Sequence, residues 1–138
     1  MTTYADNVLT LLRAAVPSGV SVFDSIVPGV APARYVIPFI PDGLRSQSTV
    51  DAVSDHISLK FDVMTVTSTT SPVYAAAECR ALSLVVRDTL TDAVISATGW
   101  GSAQIQHENS RPPVVDESTP DKKVYTVAQF SLQAYRTS

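Results

Sequence analysis

The 138-residue sequence has one cysteine, no cluster of basic residues and no long apolar run. A single cysteine, Cys79, excludes an internal disulfide and a zinc site built on cysteines. Tight binding to a phosphate backbone is disfavoured, because that affinity comes from clustered Lys and Arg side chains. No apolar run approaches the roughly 18 residues that span a membrane. Charged residues make up only 17% of the chain, which points to a protein whose surface meets other protein surfaces.

The N-terminal residues do not have the pattern of a signal peptide, since Asp6 and Asn7 stand where an apolar run is needed. We therefore expect a soluble protein that is made in a cytoplasm. An apolar content of 45% is typical of globular proteins. The length fits one domain over residues 1–138.

Two stretches have the apolar spacing of amphipathic helices. Residues 3–15, "TYADNVLTLLRAA", have Thr3 as a candidate N-cap with Asp6 three residues on. Their predicted apolar face consists of Tyr4, Val8, Leu11, Leu12 and Ala15. Residues 72–90 form the second helix, with Ser71 as its candidate cap. Its predicted stripe consists of Tyr74, Ala77, Ala81, Leu84, Val85 and Asp88, which Leu82, Val86 and Leu90 broaden into a surface that can contact both core and neighbour.

Several segments predict strands. Residues 20–23 are a short candidate, and residues 34–40 contain Pro38, which places them at a sheet edge or a bend. Residues 56–68 alternate apolar and polar side chains, which indicates an antiparallel sheet with one wet face. A short strand follows the Gly-Trp-Gly turn at 99–101, and the last strand is "VYTVAQFSLQAYR".

The alternation in that last strand shifts phase. Tyr125 and Val127 have one parity, whereas Phe130, Leu132 and Ala134 have the other. A bulge near Ala128–Gln129 explains the shift, and so does a strand that contacts protein on both faces.

The element order predicts an α+β two-layer sandwich, in which an antiparallel sheet of about four strands has both helices packed on one face. Two polar segments are predicted as loops: residues 42–55, and the stretch "HENSRPPVVDESTPDKK" at 107–123. Loops this long are uncommon inside compact domains. We expect residues 108–122 to be an arm that is mobile in the isolated subunit and ordered on assembly.

Residues with reactive side chains do not form a catalytic pattern. His56 and His107 stand at strand ends and match no metal-ligand spacing, so both are interpreted as surface histidines. Cys79 lies among helical apolar residues and is interpreted as a small core side chain. Trp100 is interpreted as an apolar anchor in the core or at an interface. We expect no catalytic, cofactor or metal site and no enzymatic activity.

The order of segments resembles the tail terminator, or tail completion, proteins of bacteriophages with long non-contractile tails. The resemblance rests on "LLRAAVP", "VFDSIVP" and "RYVIPFI", then on "ISLKFDVMTVTS" leading into "SPVYAAAECRALSLVVRDTL". The Gly-Trp-Gly turn and "VYTVAQFSLQAY" complete it over nearly the full chain.

The resemblance implies a virion protein at the head-proximal end of the tail, made in the bacterial host cytoplasm. Such a subunit forms a hexameric ring that caps the tail tube, ends tube polymerisation and joins the tail to the head–tail connector protein. DNA passes through the lumen without specific binding. The candidate residues for subunit or partner contacts are Ala76, Ala77, Arg80, Trp100, Arg111, Val114, Val115, Asp116, Lys122 and Lys123.

Two other functions are compatible with the sequence. One is a stopper ring of the head–tail connector, which binds on the portal side. The other is a small ligand-binding or enzymatic α+β domain, which requires a concave pocket with convergent polar groups and perturbed ionisable residues.

Overall fold

The computed structural model describes residues 3–27, 29, 32–41, 44–47, 55–68, 72–116 and 123–135. In chain order the elements are α1 (Tyr4–Ala15), β1 (Ser21–Val22), β2 (Arg34–Phe39), β3 (Leu44–Gln47), β4 (Asp55–Ser68), α2 (Pro72–Leu90), β5 (Val94–Ala97), β6 (Trp100–Gln104), β7 (Gln106–Ser110), β8 (Val114–Asp116) and β9 (Lys123–Tyr135). Both helices pack on one face of the main sheet, which confirms the α+β prediction. Among the described residues, no helix has the length and apolar character that a bilayer crossing requires.

β4 and β9 form the centre of the sheet as one uninterrupted antiparallel ladder, from His56 opposite Tyr135 to Ser68 opposite Lys123. On the edge of β4 that faces away from β9, β2 and β3 pair with successive parts of β4. On the edge of β9 that faces away from β4, β7 and β8 pair with successive parts of β9. β1 adds a parallel pair beside β2, so the sheet is not wholly antiparallel. It also has more strands than the four expected, because strands of two to four residues are too short to show a period in the sequence.

The main core lies between the helices and the inner face of the sheet. Successive strand residues point to opposite faces, so alternate residues of β4 and β9 form this inner face. The rings of Phe61 and Phe130 stack there with centroids 5.5 Å apart, and Phe130 is fully buried. From the helices, the largest fully buried side chains are Val8, Leu12, Val86 and Leu90.

α1 begins at a reciprocal cap, as predicted. The Thr3 hydroxyl accepts the Asp6 N–H at 3.1 Å, and the Asp6 carboxylate accepts the Thr3 N–H at 2.9 Å. Four α1 side chains are buried, namely Tyr4, Val8, Leu9 and Leu12, of which only Leu9 was not predicted. The Tyr4 hydroxyl also donates to the Gly101 carbonyl at 2.8 Å, which ties the helix to β6.

α2 has the predicted length, and the structure shows which part of its broad apolar surface is buried. The residues buried against the sheet are Cys79, Leu82, Val86 and Leu90, whereas Ala77, Ala81, Leu84 and Asp88 of the predicted stripe are exposed. Periodicity cannot orient a helix that is apolar on both sides. Burying the larger side chains removes more apolar area from water, and this decides the orientation. Ser71 and the side chain of Tyr74 lie outside the described residues.

The predicted loop at 42–55 contains a strand. β3 pairs with the start of β4, with Leu44 opposite Ser58 and Gln47 opposite Asp55. The ladder uses backbone groups, so a polar segment at an edge can pair without any apolar alternation. Residues 42, 43 and 48–54 lie outside the described part of the chain.

The predicted arm at 108–122 belongs to the sheet as far as the structure describes it, so the prediction is wrong for residues 108–116. β7 pairs with β9 up to Ser110, the Arg111 N–H donates to the Val127 carbonyl at 3.0 Å, and β8 continues the pairing. The polar composition is that of an edge strand with wet side chains. Residues 117–122 are not described.

A hairpin after α2 was not predicted. β5 and β6 turn at Thr98 and Gly99, where Gly99 has φ +85°, a backbone conformation that favours glycine. The predicted strand after this turn is divided at Ile105, which is fully buried and whose N–H donates to the Ala93 carbonyl at 2.8 Å. Ile105 is thus the single residue that connects the hairpin to β7.

Pro38 lies where its missing N–H removes no bond to β4. Its carbonyl accepts the N–H of Ser25 at 3.2 Å, on the side of β2 that faces away from β4. In a strand, the N–H and C=O of one residue point to the same side. The predicted edge position is wrong, because β1 pairs beside β2, but those pairs end at Val36 and leave Pro38 without a ladder partner on that side.

Candidate interaction surfaces

Apolar side chains cover part of the outer face of the sheet, which faces away from the helices. The strand register places Tyr35, Val66, Tyr125 and Val114 in one row across β2, β4, β9 and β8, with Ile37, Met64 and Val127 in the row beside it. We call these seven residues the outer patch. The rows that follow are mostly polar, with Asp62 beside Gln129 and Lys60 beside Ser131, although exposed Phe39 lies opposite Asp62 on β2.

The outer patch is covered at one end only. Phe23 packs edge-on against Tyr35 with ring centroids 6.0 Å apart, and Val27 packs on the same cluster. Backbone bonds from Phe23 and Ser25 to β2 hold this segment in place. At the other end Val114 is 46% exposed, and Tyr125 is only half-buried. The two-sided contact of β9 therefore explains its phase shift.

The alternative explanation, a bulge near Ala128–Gln129 in β9, is wrong. β9 pairs with β4 without interruption, and its inner residues are buried in strict alternation. The irregularity lies in the neighbouring strand, where the register of β7 shifts between His107 and Asn109.

A second apolar surface lies on α2, opposite its buried face. Ala77, Ala81 and Leu84 recur at helical spacing and are exposed, with Leu84 at 45%. We call these three residues the helix stripe. Beside it, a cleft of about 160 Å³ is lined by Pro17, Val20, Arg34, Glu78, Ala81, Leu82 and Val85. The helix stripe and the outer patch thus lie on opposite layers of the molecule.

The ten predicted contact residues fall into three places. Ala77 and Arg80 are exposed on α2, whereas Ala76 is half-buried against Cys79 and Val124. Trp100 is half-buried against the main core. The remaining described residues lie in or beside the β8–β9 hairpin: exposed Arg111, Val114 and Val115, half-buried Lys123, and Asp116, whose backbone pairs with Lys123. Lys122 and the side chain of Asp116 are not described.

The prediction missed most of the outer patch. Of its seven residues only Val114 was a candidate, and the signal that could have found two others was the phase shift at Tyr125 and Val127. Tyr35 and Ile37 belong to the patch because β2 pairs with β4 in this register, which no local pattern reveals.

Two concave sites occur elsewhere among the described residues. An apolar one of about 250 Å³ is lined by Thr3, Tyr4, Ala5, Ile40, Pro41, Ile57, Leu59, Ala97, Thr98 and Trp100. A polar one of about 330 Å³ is lined by Ser58, Lys60, Gln104, Gln106, Glu108, Ser131, Leu132 and Gln133. In the latter, the Ser131 hydroxyl bonds to the Glu108 carboxylate.

Each shifted pKa among the described residues has a structural cause. Burial raises the pKa of Tyr4, and hydrogen bonds from Thr3 lower the pKa of Asp6. Burial raises the pKa of Cys79 to about 11, and the thiol lies 3.6 Å from the Thr65 carbonyl. The interpretation of Cys79 as a core side chain is confirmed by its full burial.

Only one of the two histidine side chains, that of His107, is described. His107 is half-buried, shares a hydrogen bond of 2.6 Å between Nε2 and the Ser110 hydroxyl, and places its ring 5.5 Å from that of Phe130. His56 is the second residue of β4, and its side chain is not described. Over the described ranges, no group of three or more His, Cys, Asp or Glu residues could hold a metal ion.

No protein-family model and no curated protein matches this chain. Among solved structures, it is similar to a chain from the virion of a native gene transfer agent particle, with a TM-score of 0.60 and 16% sequence identity. The alignment covers 90% of this chain and 84% of that chain. The two chains share a fold.

Proposed function

We propose that this protein is a structural virion subunit that forms a ring on the end of a tail tube. In this role a hexamer stops tube polymerisation and presents a surface to the head–tail connector protein. The observation that carries the proposal is the likeness of fold, over 90% of the chain, to a chain of a gene transfer agent virion. The resemblance of the sequence to tail terminator proteins supplies the finer role.

The two apolar surfaces support self-association. A ring of identical subunits closes through a heterologous interface, which needs two different complementary surfaces on each copy. The outer patch and the helix stripe are two such surfaces, and both contain exposed apolar side chains, Val114 and Leu84.

The charges of the outer face support passage of DNA without binding. In the polar part of this face, Lys60 shares a cleft with Glu108, so the cation has an acidic neighbour. Phosphate binding grows with the number of clustered cations. We propose that a lumen built from such a surface lets DNA slide.

Among the described residues, the groups with shifted pKa values serve the fold. Tyr4 donates to a backbone carbonyl, Asp6 caps a helix and Cys79 is buried under α2, so each shift has a role in the fold. An enzymatic or ligand-binding domain would instead be expected to place perturbed groups together in a concave site.

Size-exclusion chromatography with light scattering, followed by negative-stain electron microscopy, tests ring formation. We expect a concentration-dependent hexamer, and Leu84→Asp should weaken it. Val94→Asp is the matched control, because Val94 is 67% exposed on β5, away from both surfaces. A strict monomer at every concentration would contradict the proposal.

A second measurement tests the partner. The protein is added to polymerising tail tube protein, and tube lengths are measured with and without it. We expect shorter tubes with rings at their ends, together with retention of the connector protein in a pull-down. Binding to the connector without any effect on tube length would assign the ring to the connector stopper instead.

A further inference from the structure

We infer that the outer patch of one copy packs on the helix stripe of the next copy. This inference rests on the self-association in the proposed function and names the surfaces that make the contact. It concerns residues of the sheet and of α2 that lie on opposite layers of one subunit.

The outer patch is the part of the sheet that a lone subunit leaves incomplete. The outer face of a two-layer sandwich is normally wet, and the rows beyond the outer patch are mostly polar here. In the patch, Phe23 and Val27 cover the β2 end, while Val114 stays 46% exposed at the β8 end. The cover therefore stops part-way across a continuous apolar row.

The dimensions fit a helix of the same chain. The residues of the outer patch that Phe23 and Val27 leave half-buried or exposed are Met64, Tyr125, Val127 and Val114. They lie on β4, β9 and β8, two strand spacings of about 4.8 Å each, which is about 10 Å. The helix stripe from Ala77 to Leu84 rises about 10 Å at 1.5 Å per residue. Its two alanines permit close approach of a backbone, and Leu84 supplies an apolar side chain to insert. Helix-on-sheet packing of this kind already forms the inner layer of the fold.

The charges around the two surfaces are complementary in one orientation. Lys123 borders the outer patch on the Tyr125 side, where the register places Asp116 opposite it, and Asp62 borders the patch on the Val127 side. Arg111 lies beside Val127, at the end of the patch. On α2, exposed Glu78 lies along one margin of the helix stripe and exposed Arg80 along the other. With the helix stripe laid along the rows, one direction of the helix places Glu78 towards Lys123 and Arg80 towards Asp62, which favours this direction over the reversed one.

The placement of the surfaces fixes the type of assembly. Because they lie on opposite layers, a copy that uses its helix stripe keeps its outer patch free for the next copy. Contacts of this kind run head to tail, and they give a closed ring when the rotation per copy closes.

Cysteine cross-linking in the full chain tests the pairing directly. Leu84→Cys and Val127→Cys are made separately and together, and a short bismaleimide is added; buried Cys79 serves as the internal unreactive thiol. We expect no dimer band from either single variant alone and a dimer from a mixture of the two. The double variant should give a ladder of cross-linked species up to the ring. Circular dichroism checks folding, and the pair Ala81→Cys and Met64→Cys repeats the test.

The failures of the two proposals are distinguishable. If light scattering shows rings but neither the Leu84–Val127 pair nor the Ala81–Met64 pair cross-links, this contact is refuted and the ring itself is not. Cross-linking of a single variant with itself would overturn it as well, since that is the mark of a two-fold contact. A ladder that continues without an upper limit would support the contact but refute the closed ring, and a monomer without cross-links would refute both.

Discussion

The orientation of α2 can be tested with two leucines that are two residues apart. Leu82 is 5% exposed and belongs to the main core, whereas Leu84 is 45% exposed on the opposite side of the helix. Leu82→Ala and Leu84→Ala are the same chemical change on the same element. Their difference in unfolding free energy therefore reports which side of α2 faces the sheet.

The expected magnitudes follow from burial. A Leu→Ala change in a core costs about 2–5 kcal/mol, because the lost transfer energy adds to the cost of a cavity. Leu84 keeps nearly half of its surface in water, so its truncation costs about 1 kcal/mol and leaves no cavity. At this chain length the melting temperature should fall by about 10 °C for L82A and about 3 °C for L84A.

Urea unfolding followed by far-ultraviolet circular dichroism measures the two free energies. The protein must be dilute enough to be monomeric, since association stabilises the folded state by mass action. The slope of free energy against urea should stay the same in both variants, which shows that only stability has changed. In light scattering at higher concentration, L84A should weaken the ring although it barely affects the monomer.

The opposite result would refute this reasoning. If L84A lost as much stability as L82A in the monomer, both sides of α2 would be packed within one subunit. The helix stripe would then be part of the core and could not be a free surface.

Four further predictions concern single residues. Thr3→Ala should cost about 1 kcal/mol of unfolding free energy in urea. The pKa of Asp6 is lower in the folded protein than its ordinary value. Ionised Asp6 therefore stabilises the fold above the ordinary pKa, and this contribution is lost as the pH falls through the folded pKa. In D6N, unfolding free energy should depend less on pH in the acid range. Tyr4→Phe should cost about 0.5–1.5 kcal/mol, because the Gly101 carbonyl loses its donor; an unchanged urea midpoint would contradict that bond. Cys79 should react with a thiol reagent at neutral pH only after unfolding, and rapid labelling of the native protein would show that it is not buried.

Local patterns predicted the long elements well. The helix cap at Thr3, both helix lengths and the alternation of β4 depend on neighbours along the chain, and all agree with the structure. The short strands β3 and β8 were predicted as loops, because an edge strand takes its order from a partner strand and not from its own composition.

The candidate surfaces were predicted only in part. Exposed Ala77, Arg80 and Val114 lie on or beside the two surfaces, but Trp100 packs against the core and the arm is replaced by strands as far as Asp116. The outer patch depends on the pairing of β2, β4, β9 and β8, which are distant in sequence.

The sequence by itself determined where helices and long strands form, because those preferences act between residues three or four apart in a helix and two apart in a strand. Only the tertiary structure decided which side of α2 is buried and which residues meet on the outer face. Both sides of that helix are apolar, and strand register is set by the total burial of the assembled sheet. Tyr125 illustrates the difference: its parity is written in the sequence, but its neighbours Val66 and Val114 are not.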